Sequence, residues 1–178
     1  MSFLRRIVEA TKLNPGLYEE VEADKSALKQ AMTVIVLSSV AAGIGASQYD
    51  IPQLAMAVLV SLLSWIVWAY ICYFVGARLL PEPQTRADHG ELLRTLGFAA
   101  SPGLLRVFGV IPGVAGGVIF AVATVWMFIA TVIAVRQALD YTSTGRALAV
   151  VLIGFLVQAV LVLAYVMLFP RTIAAMLG

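Results

Sequence analysis

Gly97-Phe98-Ala99-Ala100-Ser101-Pro102-Gly103-Leu104-Leu105-Arg106 decides how this chain folds. The stretch lies in an apolar segment running from about Glu91 to Ile111, long enough to cross a bilayer. Yet Ser-Pro-Gly sits at its centre, and Arg94 and Arg106 stand at its shoulders. Proline removes a backbone donor and clashes with the preceding turn, so a continuous helix must kink or break here. Backbone groups freed inside lipid are tolerated only where protein or trapped water satisfies them. The segment is therefore expected inside a wrapping of other helices. On a helix rising 1.5 Å per residue the two arginines stand about 18 Å apart. Two readings of them are open. Each snorkels toward its nearer membrane face, or Arg106 and the open backbone around Ser101 line a polar cavity, as broken helices do in transporters.

The flanking sequence supplies that wrapping. Hydrophobic residues make up 61% of the chain and charged ones 12%, with a mean hydropathy of +0.95. A soluble domain carries about twice that charge. The pattern is that of an integral membrane protein, a single domain with room for roughly four to six spans of about 20 residues. The net charge of +2 suggests no nucleic-acid role. Cys72 is the single cysteine, so no internal disulfide is possible. The first 25 residues contain no uncharged apolar core, and no cleavable signal peptide is expected.

Residues 1–25 read as a cytoplasmic amphipathic segment. Phe3, Leu4, Ile7 and Val8 recur at helical spacing, with Arg5, Arg6, Glu9 and Lys12 between them. Such a helix lies on a membrane surface or packs on the protein's own loops. Asn14-Pro15-Gly16 breaks it, and Glu19, Glu20, Glu22 and Asp24 read as a solvated helix face. Residues 26–178 read as a five-helix transmembrane domain, an all-α polytopic bundle. Its crossings fall at about Ala27–Ser47, Gln53–Leu80, the broken segment, Gly113–Ala138 and Arg146–Phe169.

Polar and small residues within those spans are the candidates for function. Ala57, Ser61, Ser64, Trp68 and Cys72 form one stripe of the second span, which should face the bundle. Gly113, Gly117, Ala121 and Thr124 cluster on one face of the fourth, where a narrow groove invites a helix of this chain or of a second copy. Gln158 sits deep in the fifth, shares a face with Tyr165 and needs a hydrogen-bond partner. The candidate polar cavity thus comprises Arg94, Ser101, Arg106, Ser61, Ser64, Gln158 and Tyr165. Arg136 and Asp140 have the spacing of an i,i+4 ion pair. His89, beside Asp88 and near Glu91, reads as a solvated loop histidine rather than a metal or proton site.

Lysines and arginines set the orientation. Arg5, Arg6, Lys12, Lys25, Lys29, Arg78, Arg86, Arg94, Arg136 and Arg146 share one side of a five-crossing topology, and only Arg106 and Arg171 lie toward the other. The N-terminus is expected in the cytoplasm and the C-terminus outside, in the cytoplasmic (inner) membrane.

Three stretches carry a family resemblance. They are Asn14-Pro15-Gly16-Leu17-Tyr18-Glu19-Glu20-Val21, Leu93 through Pro102, and Ala134-Val135-Arg136-Gln137-Ala138-Leu139-Asp140 continuing to Thr144-Gly145-Arg146-Ala147. The chain resembles the Yip1 domain family in its short prokaryotic form. The resemblance implies five transmembrane helices with a cytoplasmic N-terminus. Eukaryotic members bind prenylated Rab GTPases in vesicle traffic. This chain lacks their long cytoplasmic extension and its Asp-Leu-Tyr-Gly-Pro-type motif, so Rab-type GTPase binding is not expected.

An enzyme is the least supported class, because no Ser-His-Asp, Cys-His, paired-acid or metal-ligand constellation can be assembled at bilayer depth. Catalytic, cofactor-binding and metal residues are all expected to be absent. The favoured function is a membrane scaffold or adaptor whose partners are membrane lipids, a second copy or other membrane proteins. The alternative is a small-solute transporter or channel using the polar cavity.

Overall fold

The computed structural model describes residues 1–46 and 50–168, without the side chains of Val162, Tyr165, Val166 and Leu168. All regular structure among the described residues is helical. Helix α1 is Phe3–Thr11, α2 Pro15–Ala23, α3 Ala27–Gly45 and α4 Ile51–Tyr73, which continues as a π-helical turn, Phe74–Leu79. Helix α5, His89–Ala99, is followed by a 3₁₀ helix, Ser101–Val110, then by α6, Val114–Ala138, and α7, Thr144–Leu168. Four helical stretches are long and apolar enough to span a membrane: Ala27–Gly45, Ile51–Leu79, Val114–Ala138 and Thr144–Leu161. The remaining expected crossing is divided between α5 and the 3₁₀ helix, neither long enough alone.

That division follows from local chemistry. A reciprocal cap starts α5: the Glu91 amide donates to the Asp88 carboxylate (2.9 Å) and the Asp88 amide to the Glu91 carboxylate (2.7 Å). At Ala100 the bonding shifts to i→i−3, with the Ala100 amide on the Gly97 carbonyl and the Gly103 amide on the Ala100 carbonyl. Pro102 cannot donate, and the chain continues as the thinner 3₁₀ form, which rises about 2.0 Å per residue. The thin helix lies between α3 and α6 and runs parallel to α3. Gly97 packs on Ala31, Gly103 on Ser38, and Gly109 on the Gly45 backbone. On the opposite flank Gly103 meets Met127 and Gly109 meets Gly116. Thr95 through Gly103 are buried, and exposure returns at Phe108 and Val110.

Each helix turns a small or apolar face inward. Ala130, Ala134 and Ala138 of α6, Ala147, Val150 and Val151 of α7, and Trp65, Ala69 and Cys72 of α4 form the core with Leu92, Leu96 and Phe98 of α5. Leu59, Leu63, Val118, Val122, Leu152 and Leu156 are exposed on the perimeter, the surface expected to meet acyl chains. The π turn of α4 leaves carbonyls at Gly76 and Leu80, and the Tyr141 hydroxyl shares its proton between them at 2.9 and 2.8 Å. A Cβ at Gly76 would meet the Leu139 side chain, which would have to shift.

Helices α1 and α2 form a hairpin packed on α5, with α1 also against the 3₁₀ helix and α2 against α6. Asn14 caps α2 by accepting from the Gly16 amide at 3.1 Å, and Pro15 occupies its first turn. Arg6 is turned inward, paired with Glu20 at 2.9 Å and Asp24 at 2.7 Å and donating to Gln30 at 2.8 Å. The Ser26 hydroxyl and Arg6 together hold the Asp24 carboxyl down at about 2. Phe3 and Ile7 pack against the core, while Leu4 and Val8 are exposed.

Candidate functional site

Side chains from α3, α4, α5, the 3₁₀ helix, α6 and α7 line one cavity of about 300 Å³. Helix α3 contributes Ile35, Ser38 and Ser39, and α4 contributes Ser61, Ser64, Trp65 and Trp68. Leu96 and Ala100 come from α5, Arg106 from the 3₁₀ helix, Met127 and Thr131 from α6, and Phe155 and Gln158 from α7. The serines of α4 reach this wall because Ser61, Ser64, Trp68 and Cys72 recur at three- and four-residue steps, which keeps them on one face of a helix. Ser39 and Ser61 share a hydrogen bond at 2.8 Å, and Thr131 bonds back to the Met127 carbonyl at 2.8 Å.

Arg106 is the charged member of this wall. Its guanidinium reaches back along the 3₁₀ helix. Nε donates to the Gly103 carbonyl at 3.3 Å, and Nη2 donates to the Ser38 carbonyl at 3.3 Å and the Ser38 hydroxyl at 3.0 Å. The guanidinium also lies 5.7 Å from the centre of the Phe120 ring. No carboxylate stands within ion-pair distance of it among the described residues.

Of the seven residues read from the sequence as a polar cavity, Ser61, Ser64, Arg106 and Gln158 line this one. Ser101 is buried beside the wall residue Ala100, and its hydroxyl has no partner among the described residues. The Tyr165 side chain lies outside the described residues. Arg94 goes elsewhere. It is buried and donates to the Val21 carbonyl at 2.9 Å and to the Glu22 carbonyl through Nε (3.1 Å) and Nη2. An arginine on the last carbonyls of α2 caps that helix and opposes its dipole. Of the small-residue face of α6, Gly117, Ala121 and Thr124 are exposed, and Gly113 stands exposed ahead of the helix at φ +83°. The glycine that packs inside is Gly116, against the Gly109 and Ile111 carbonyls.

A second recess, about 580 Å³, opens at the cation-rich end between Glu19, Glu22, Glu91, Arg136, Gln137 and Asp140. Here the three stretches that carry the family resemblance meet. Gln137 donates to Glu19 at 2.8 Å, and Arg94 ties α5 to the end of α2. Burial, and then the neighbouring Glu91 and Asp140, push the Glu22 carboxyl up to about 7, against the pull of Arg94. The run read as a solvated face is thus partly enclosed. The only signal in the sequence was the distant pairing of acidic and basic segments, which spacing cannot reveal. Arg136 does not pair with Asp140. It bonds the Tyr141 and Thr142 carbonyls and the Thr144 hydroxyl, while Asp140, at φ 53°, accepts from the Arg86 amide. His89 is the first residue of α5 rather than a loop residue, its ring tilted 44° against that of Tyr70 with the centres 3.5 Å apart.

Neither a search of curated proteins nor one of solved structures returned a match to this chain. The Yip1 domain model matches residues 14–166, from the connection between α1 and α2 to near the end of α7. With the match covering most of the chain and all three of its motif stretches, this integral membrane protein belongs to the Yip1 domain family.

Proposed function

We propose that this protein is a five-crossing membrane scaffold without enzymatic activity, docking a second copy or another membrane protein through α6. Its N-terminus lies in the cytoplasm and its C-terminus outside the cell membrane. The length of the divided segment supports the fifth crossing. Eleven α-helical and ten 3₁₀ residues extend roughly 36 Å, against a hydrocarbon core of about 30 Å. Ten of the 12 cations toward one side support the orientation. The exposed Leu4 and Val8 of α1 suit a helix resting at the cytoplasmic membrane surface.

The observation that carries the scaffold reading is the doubled small-residue surface of α6. Gly116, Ala123, Ala130 and Ala134 pack inside the bundle, while Gly117, Ala121 and Thr124 face out, with nothing within 4 Å of a Cβ built on Gly117. Small residues let helices approach closely in lipid, where no hydrophobic force drives them together. The test is cysteine crosslinking in native membranes. Gly117→Cys should trap a dimer or a hetero-complex, and Leu152→Cys on α7 should not. Monomer alone from both variants, with no captured protein, removes the reading.

The cavity favours a second reading, passage of a small solute. Proteoliposome flux that is unchanged by Arg106→Ala and by Gln158→Ala would dismiss it.

A further inference from the structure

We infer that the intrabundle cavity is a binding site for an amphiphilic anion, whose phosphate or carboxylate pairs with Arg106 while its apolar part rests on Trp65, Trp68 and Phe155. The site is a matter of binding and holds whether or not the ligand is carried across.

The charge balance is the starting point. An arginine at membrane depth is costly, and structures that keep one pair it or put it to use. Arg106 has hydrogen-bond acceptors but no counter-charge among the described residues. None of the positions outside them is Asp or Glu. Nine of the ten acidic residues belong to the cation-rich end, and Asp50, before α4, is the exception, outside ion-pair distance of Arg106.

The direction of the side chain rules out simple snorkelling. Arg106 lies near the end of its crossing, where its backbone carbonyl packs on Gly45 at the end of α3. An arginine escaping to the interface would extend past Gly109. Instead it turns back to Gly103 and Ser38, at the middle of the crossing, and faces the cavity.

The remaining lining completes the chemistry. Ser64 and Gln158 supply further donors, and no carboxylate lines the cavity. With Nε and Nη2 held by Gly103 and Ser38, Nη1 has no partner among the described residues and, with hydroxyls nearby, is left to donate to a phosphate or carboxylate oxygen. The opposite wall is aromatic and aliphatic, with Trp68 and Phe155 in contact at 4.6 Å between ring centres. A volume near 300 Å³ lies at the small end of ligand sites, enough for an anionic head and a short apolar portion.

The test is binding to the purified full chain in maltoside micelles, read by native mass spectrometry and by the fluorescence of Trp65 and Trp68. The probes are dioleoyl phosphatidylglycerol, dioleoyl phosphatidylcholine, decanoate and inorganic phosphate. Saturable binding of phosphatidylglycerol or decanoate, preferred over phosphatidylcholine and weakened about tenfold or more by Arg106→Gln, supports the site. Phosphatidylglycerol binding alone assigns the ligand to the lipid, and decanoate alone to a free amphiphile. Ser64→Leu, which fills the cavity and leaves Arg106 in place, should abolish binding even if Arg106→Gln fails to fold. Equal binding of all lipids, inorganic phosphate binding as tightly as the amphiphiles, or undiminished binding in both variants would overturn it.

Discussion

Arg94 and Glu22 show how little a residue's type says about its role until its neighbours are known. Both are ionisable residues of the cation-rich end, Arg94 buried and Glu22 half-buried. Arg94 holds α2 by its final carbonyls, and Glu22 shares the enclosed recess with Glu91 and Asp140. The raised Glu22 pKa carries a pH dependence of definite sign. The folded protein keeps this carboxyl protonated up to about pH 7, whereas an unfolded chain ionises it near the ordinary 4.5. Its contribution is therefore complete below about 4.5 and is lost as pH rises through 7. Glu22→Gln should flatten that slope and raise stability at pH 8 by about 1 kcal/mol, after discounting for partial exposure. Melting curves in detergent from pH 5 to 8 would measure it, and equal slopes in parent and variant would count against the enclosed carboxyl.

At the scale of elements, the divided crossing and α6 depend on each other. A 3₁₀ helix of ten residues is long for its kind. It persists because glycines at 103 and 109 let it lie against α3 and α6 at distances that an α-helix with side chains would not allow. Pro102 was legible as a break from the sequence alone, because its missing donor is a covalent fact. The helical form that follows was not, because it is decided by what packs beside it. Paired substitutions on α6 separate its two faces. Gly116→Ala would drive a Cβ into the backbone oxygens of Gly109 and Ile111 and should cost about 1–3 kcal/mol. Gly117→Ala meets nothing within 4 Å and should leave the monomer as stable or slightly more so. A thermal-shift comparison reads both. Equal losses would mean that the two glycines are similarly enclosed.

On the scale of the whole molecule, the hairpin of α1 and α2 is fastened to the bundle at the cation-rich end by two arginines. Arg6 reaches Glu20, Asp24 and Gln30, and Arg94 reaches Val21 and Glu22. Arg94→Gln should cost about 2 kcal/mol. It should speed amide exchange over residues 3–23 while the centre of α6 stays protected, a pattern that distinguishes undocking from global unfolding. The proposed topology places this end in the cytoplasm, so an N-terminal tag should resist protease added to intact cells, and its cleavage would invert the orientation.

Membrane class, the positions of four long apolar helices, the break at Ser101-Pro102 and the bias of positive charge are determined by the sequence by itself. They rest on local hydropathy, proline's missing donor and a count of cations, which need no partner. Only the tertiary structure decided that Arg94 caps α2, that Arg106 faces inward with Ser38, Ser61 and Gln158, and that Gly116 rather than Gly117 packs inside. Whether a side chain meets lipid, water or another helix's carbonyl is a property of two segments in contact, and periodicity along one of them cannot contain it.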